Sequence, residues 1–195
     1  MSTICIIPAR GGSTRIPMKN INLFHGKPII CYSIEAAQKS GLFDRIIVST
    51  DHVDIAAVAQ MAGAEVWRRA SAYGANEVGT QEVTRECLLG IGADQFDIVC
   101  CLYATAPLMD IADLKRGYRA VRHGGDGAAY AFSVNESPLF DAGQFYWGAA
   151  GDFMYGTSLV GLYTRLIVVD DKRVCDINTL DDWERALRMY EELHA

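Results

Sequence analysis

Between residues 6 and 20 the chain reads IIPARGGSTRIPMKN. An apolar run gives way to Gly11, Gly12, Ser13 and Thr14, with Arg10, Arg15 and Lys19 around them. No acid offsets these cations. Residues 1–34 carry +4, Lys27 included, while the whole chain carries −6, leaving −10 for residues 35–195. A surface that tracks DNA or RNA spreads its positive charge over a face. Charge gathered at one loop suits a small polyanion instead, a nucleotide or a sugar acid. The glycines let backbone approach a ligand and offer amides, and Ser13 and Thr14 add hydroxyls. Arg10 and Lys19 can hold a triphosphate and follow its charge onto a departing pyrophosphate. Pro17 stiffens the loop. The pattern is neither the P-loop GxxxxGK signature nor the dinucleotide GxGxxG.

Nothing in the chain suggests covalent catalysis: there is no GxSxG and no Cys–His pattern. The six cysteines, Cys5, Cys31, Cys87, Cys100, Cys101 and Cys175, form no CxxC pair. Those in apolar runs read as buried free thiols acting as small hydrophobes. The four histidines lack metal spacing and read as surface or capping residues.

The elements that must position the loop alternate along the chain. A buried strand at 3–8 leads into it. A helix follows at 27–41, with Pro28 in its first turn, Ile30, Ile34 and Ala37 on one face and Gly41 as its stop. Then come a strand at 44–50 and a helix at 51–63 with Asp51 as N-cap and Gly63 at its end. A short strand at 64–67 precedes a polar loop to about 79. Beyond it lie a helix at 80–90, a strand at 96–103, a helix at 110–124, a strand at 128–134, a short aromatic stretch, a strand at 165–170 and a helix at 179–193. Continuous apolar strands alternating with amphipathic helices predict an α/β fold, a mostly parallel sheet covered on both faces. Ligands bind such sheets at the carboxyl ends of the strands, where the basic loop lies.

With 195 residues, half of them hydrophobic, and no linker, repeat or low-complexity segment, the chain reads as one domain over 1–195. The most apolar run, at 98–109, is too short to span a bilayer and contains Pro107. The N-terminus lacks the regions of a signal peptide. The expectation is a cytoplasmic protein without membrane or nucleic-acid partners.

The opening loop resembles the signature of the cytidylyltransferases that activate nine-carbon, sialic-type acids, among them the CMP-N-acetylneuraminate and CMP-pseudaminate synthetases. Four further blocks follow in order. GKPIICYSIEAAQKSGLFDRIIVSTD (26–51) looks like the family's next block, and CLYATAPL (101–108) like its third. DAGQFYWG (141–148) is very similar to the pseudaminate branch, as are Tyr103 and Ala104, and RVCDINTLDDWERALRMYEEL (173–193) resembles the C-terminal block.

The resemblance implies a Rossmann-like nucleotidyltransferase fold of the glycosyltransferase-A kind and a reaction. The anomeric hydroxyl of a nonulosonic acid attacks the α-phosphate of CTP, with Mg²⁺ assisting, and CMP-sugar and pyrophosphate leave. Such transfer is mostly positioning and charge neutralisation, which fits the absence of a nucleophile. By resemblance Arg10, Lys19 and Asp176 are catalytic. Gly11, Gly12, Ser13 and Asn20 hold the triphosphate, and Arg69, Gly79 and Thr80 fall where the base and ribose bind. Tyr103, Gln144, Phe145 and Tyr146 fall in the sugar blocks, although Phe145 and Tyr146 serve equally well as core aromatics. Asp176 and Asn178 occupy the family's metal-binding Asp-x-Asp.

Several positions depart from the pattern. Thr14 stands where the family usually carries Lys, Asn178 replaces the second metal carboxylate, and Asn76 replaces an Asp in the base loop. Only NESPLF (135–140) remains where relatives carry a long insertion that forms a dimerisation arm. A monomer or weak homodimer is expected. A nucleotidyltransferase for another acidic sugar and a nucleotide-binding pseudoenzyme remain alternatives.

Overall fold

The computed structural model describes residues 1–70, 78–122, 130–135, 140–156 and 164–195. Asn76, His123, the polar loop 71–77 and residues 136–139 lie outside the described residues. Seven strands form the main sheet: β1 (Thr3–Pro8), β4 (Arg45–Thr50), β5 (Glu65–Arg68), β6 (Ile98–Leu102), β7 (Tyr130–Asn135), β8 (Asp141–Ala149) and β9 (Thr164–Val169). Their order is β5-β4-β1-β6-β8-β7-β9. β1 runs parallel to β4 and β6, whereas β8 lies antiparallel between β6 and β7. A short hairpin, β2 (Leu23–Phe24) with β3 (Lys27–Pro28), stands apart.

The continuous apolar runs are explained by burial on both faces. Along β1, Cys5 and Ile7 point to one core and Ile4 and Ile6 to the other. Helices α1 (Ile30–Ser40), α2 (Val53–Met61) and α4 (Ile111–Arg122) supply Ile34, Ile55 and Leu114 to the first core. Helices α3 (Thr80–Gly90) and α5 (Ala150–Met154) supply Leu88 and Phe153 to the second. A third cluster joins Ile16 of the basic loop to Phe24, Ile177 and Ala186, the last on α6 (Leu180–His194). α6 begins with a reciprocal cap between Thr179 and Asp182. Five of the six cysteines are buried and Cys31 is half-buried. Burial pushes the Cys87 and Cys101 thiols up to about 12. Among the described residues no helix is long and apolar enough to cross a membrane.

Three local readings are corrected. Pro28 belongs to the hairpin, opposite Leu23, and α1 starts two residues later. The N-cap of α2 is His52, whose Nδ1 accepts from the Asp54 amide at 3.2 Å, because Asp51 is turned to the basic loop. The aromatic stretch is a full strand: Phe145 and Trp147 alternate into the first core and Tyr146 into the second. Asn135 and Phe140, which bracket the shortened segment, bond to each other. The Asn135 amide donates to the Phe140 carbonyl at 3.1 Å, and the Phe140 amide to Asn135 Oδ1 at 3.0 Å.

Trp147 stacks on Phe43 with centroids 5.2 Å apart and lies directly under Gly117 of α4. A Cβ at Gly117 would stand 2.5 Å from Trp147 Cδ1. Helix propensity alone makes Gly→Ala favourable by about 1 kcal/mol. Here the clash with a fully buried indole decides the sign. Gly117→Ala should destabilise the fold by ~1–3 kcal/mol in urea denaturation.

Candidate active site

The basic loop, the carboxyl ends of β1 and β6, the residue after β5, the start of α3 and the segment before α6 meet around one pocket of about 250 Å³. Its lining includes Arg10, Arg15, Lys19 and Arg69, and no acid among the described residues. Ser13, Asn20, Thr80, Tyr103 and Asn178 line it as well, so the structure brings together residues from five separated stretches. Arg15, Ala104 and Thr105 also line it although the motif reading gave them no role. The signal for Arg15 was present, since it shares the acid-free loop.

Two of these cations are anchored by the segment that precedes α6. The Lys19 ammonium donates to the Ile177 carbonyl. Burial lowers its pKa, while nearby Asp176 pushes it back up. Arg15 Nη2 donates to Asn178 Oδ1 at 3.0 Å, and Asn178 Nδ2 donates to Asp176 Oδ2 at 2.5 Å. Asn20 Nδ2 donates to the Arg10 carbonyl at 2.9 Å, which fixes the first turn of the loop. The Arg69 side chain is only 2 % exposed. Its Nη2 lies 3.9 Å from Asp51 Oδ1, and its buried Nε has no hydrogen-bond partner among the described residues. Burial lowers its pKa and Asp51 raises it.

The glycines act differently from the sequence expectation. The Gly11 amide is not offered to the pocket; it donates to Asp51 Oδ1 at 2.9 Å. Gly11 is required sterically, because a Cβ there would stand 2.6 Å from the His52 ring. Gly12 is exposed, and Gly79 is the residue that opens α3. Asp51 is therefore a site residue that motif reading missed. Its carboxylate ties β4 to the loop and answers the Arg69 charge.

At the far end of the pocket the sugar-block residues divide. Tyr103 lines the cavity. Tyr146 lies behind it, with the two hydroxyls 2.6 Å apart. Gln144 Nε2 donates to the Arg173 carbonyl at 2.7 Å, and its Oε1 is buried without a partner among the described residues. Phe145 is fully buried in the first core and does not reach the pocket, a correction that follows from strand alternation. Asp176 is exposed at the rim beside Gly143.

Removing Asp51 takes an acceptor from the Gly11 amide and the nearest carboxylate from a buried guanidinium. Asp51→Ala should cost ~2 kcal/mol in thermal or urea unfolding, and Asp51→Asn distinctly less, because its amide oxygen still accepts from Gly11.

The cytidylyltransferase family profile matches residues 4–138. The pseudaminic acid cytidylyltransferase of Campylobacter jejuni subsp. jejuni serotype O:23/36 (strain 81-176) is 33% identical over 230 residues, covering 100% of this chain and 98% of its own. The N-acylneuraminate cytidylyltransferase of Oncorhynchus mykiss is 35% identical over 129 residues, 66% of this chain and 29% of its own. Among solved structures, CMP:2-keto-3-deoxy-manno-octonic acid synthetase complexed with CTP superposes with a TM-score of 0.79 at 14% identity, covering 99% of this chain and 100% of that one. 4-Diphosphocytidyl-2C-methyl-D-erythritol synthase gives 0.67 at 14% identity over 97% and 99%. These structures share the Rossmann-like nucleotidyltransferase fold. With its profile, its full-length relative and its fold in agreement, the chain belongs to the cytidylyltransferase family.

Proposed function

We propose that this enzyme transfers CMP from CTP to the anomeric hydroxyl of a nonulosonic acid, pseudaminic acid first among them, and releases pyrophosphate. The observation that carries the reading is a pocket whose lining, among the described residues, holds four cations and no carboxylate, running from the basic loop to Tyr103. The full-length likeness to a pseudaminic acid cytidylyltransferase supports the choice of sugar.

In this reading Arg10, Arg15 and Lys19 take the triphosphate, with Ser13 and Asn20 beside them. They neutralise charge as it moves from the α-phosphate onto the leaving pyrophosphate. Because Lys19 is anchored by the Ile177 carbonyl and Arg15 by Asn178, these cations are placed before the substrate arrives. Arg69 and Thr80 face the nucleoside, and Tyr103 the sugar.

The residues present suit Mg²⁺ bound largely through the nucleotide. Among the described residues no cluster of three or more His, Cys, Asp or Glu could form a protein cage. An exposed Asp176 carboxylate beside the Asn178 amide is the kind of sparse oxygen set a hydrated hard cation accepts together with phosphates. Mg²⁺ held there would supply Lewis-acid charge to the phosphates. A nucleotide-binding protein without turnover is the second reading, favoured by one observation: Asn178 Oδ1 is taken by Arg15. We further propose a monomer or weak homodimer, supported by the close Asn135–Phe140 connection.

The test is pyrophosphate release from CTP with pseudaminic acid, N-acetylneuraminic acid and 2-keto-3-deoxy-manno-octonic acid in turn. Turnover should be fastest with pseudaminic acid. CTP binding with no turnover on any of the three selects the second reading. In an active enzyme Lys19→Ala should lower kcat by roughly 10²-fold or more with a smaller change in KM for CTP.

Asn178→Asp sets a second carboxylate against Asp176, a like-charge pair that a cation relieves. It should lower the Mg²⁺ concentration needed for half-maximal rate, and Asp176→Ala should abolish turnover. An unchanged Mg²⁺ dependence in Asn178→Asp removes residue 178 from the metal site.

A further inference from the structure

Behind the pocket wall a chain of three polar groups leads away from Tyr103. The Tyr103 and Tyr146 hydroxyls are 2.6 Å apart, and Tyr146 donates to Asp141 Oδ2 at 2.6 Å. Asp141 and Tyr146 are five residues apart on β8, so a regular strand would turn them to opposite faces. The ladder breaks that parity. Phe132 pairs with Tyr146 and Val134 with Asp141, so two steps on β7 face five on β8. Gly143, at φ +64°, sits in the irregularity, and its amide donates to Asp141 Oδ1 at 2.7 Å. Phe132 stacks on the Tyr146 ring with centroids 4.9 Å apart and 11° between planes. The Tyr103 backbone is pinned at both ends, its amide donating to the Gln144 carbonyl at 2.9 Å and its carbonyl accepting from Ser33 Oγ at 2.7 Å.

The direction of this chain follows from counting hydrogens. A carboxylate only accepts. Tyr146 has one hydroxyl hydrogen, and Asp141 takes it. Tyr146 can then only accept from Tyr103, whose own hydrogen is thereby used. What Tyr103 turns to the pocket is oxygen lone pair. Burial supports this: it pushes the Tyr103 phenol up to about 12 and raises that of Tyr146 as well, so both keep their hydrogens at neutral pH.

We propose that Asp141 and Tyr146 are positioning residues that make the Tyr103 hydroxyl an obligate hydrogen-bond acceptor, so the site selects a sugar acid presenting a hydroxyl or amide N–H at that point. This rests on the reading of Tyr103 as a sugar contact. A substrate offering only a carbonyl or ether oxygen there faces lone pair against lone pair, with no rotation available to relieve it.

Two measurements test it. Neutron diffraction from deuterated, ligand-free protein should place the Tyr103 deuteron toward Tyr146 and the Tyr146 deuteron toward Asp141; the reverse order overturns the proposal. The second measurement is steady-state kinetics with CTP and pseudaminic acid. In Asp141→Asn the Gly143 amide keeps the amide oxygen, so the NH₂ group faces Tyr146 and reverses the chain. Tyr103→Phe removes the acceptor without touching Asp141. Each variant should raise KM for the sugar about tenfold while KM for CTP stays within about twofold. Asp141→Glu, which keeps the carboxylate, should recover part of the loss. A wild-type sugar KM in Asp141→Asn and Tyr103→Phe, or equal rises in both KM values, overturns the proposal. If Asp141→Asn melts early, Tyr103→Phe carries the test. Deuterons in the stated order in a wild-type protein that turns over none of the three acid sugars would sink the sugar reading and leave the polarity standing.

Discussion

Four like charges around one small pocket repel each other, and the rest of the structure has to hold them together. The repulsion shows on the more buried members: burial and the neighbouring arginines disfavour the charged form of Lys19, and burial with Arg10 disfavours that of Arg69. Among the described residues the chain answers this without placing an acid in the lining. Asp51 stands behind Arg69, Asp176 stands beyond Lys19 at the rim, and the Ile177 carbonyl and Asn178 oxygen meet Lys19 and Arg15 directly. The result is a field that is partly compensated and left open toward the cavity, an arrangement that favours an anion.

That constraint explains why the supporting elements are rigid. β1 carries the loop from the centre of the sheet, with β4 and β6 locked on either side. Ile16 anchors the middle of the loop in the same apolar cluster as Ile177 and Ala186, so loop and C-terminal segment are positioned by one core. The α6 cap holds the other end: the Asn178 amide donates to Asp182 Oδ2 at 3.1 Å, within the cap that Thr179 forms. The cations of the loop and the carboxylate of Asp176 are thus placed by packing as well as by the hydrogen bonds that join Arg15, Asn178 and Asp176.

Much of the fold was legible because its physics is local. Buried strands such as 44–50 and helices such as 80–90 follow from apolar periodicity and length, and Gly41, at φ +66°, ends α1 as its type suggests. The basic loop was legible for a similar reason: an acid-free stretch is a property of composition. What escaped was non-local. β8 carries no helix-or-strand signature beyond its aromatics, because its place between β6 and β7 is set by partners distant in sequence. Asp51 read as a helix cap, since a lone Asp before a helix gives no hint that a glycine amide forty residues earlier will take it.

The sequence by itself determined the fold class, the family and the cations of the basic loop, because periodicity, composition and motif spacing are carried by neighbouring residues. Only the tertiary structure decided which side chains share a face with the pocket. Phe145 and Tyr146 are adjacent and chemically alike, yet one fills the core and the other backs Tyr103. Asp141 joins them only because an irregular stretch of β8 shifts the alternation. Such parity is set by pairing across the sheet, and no single strand contains it.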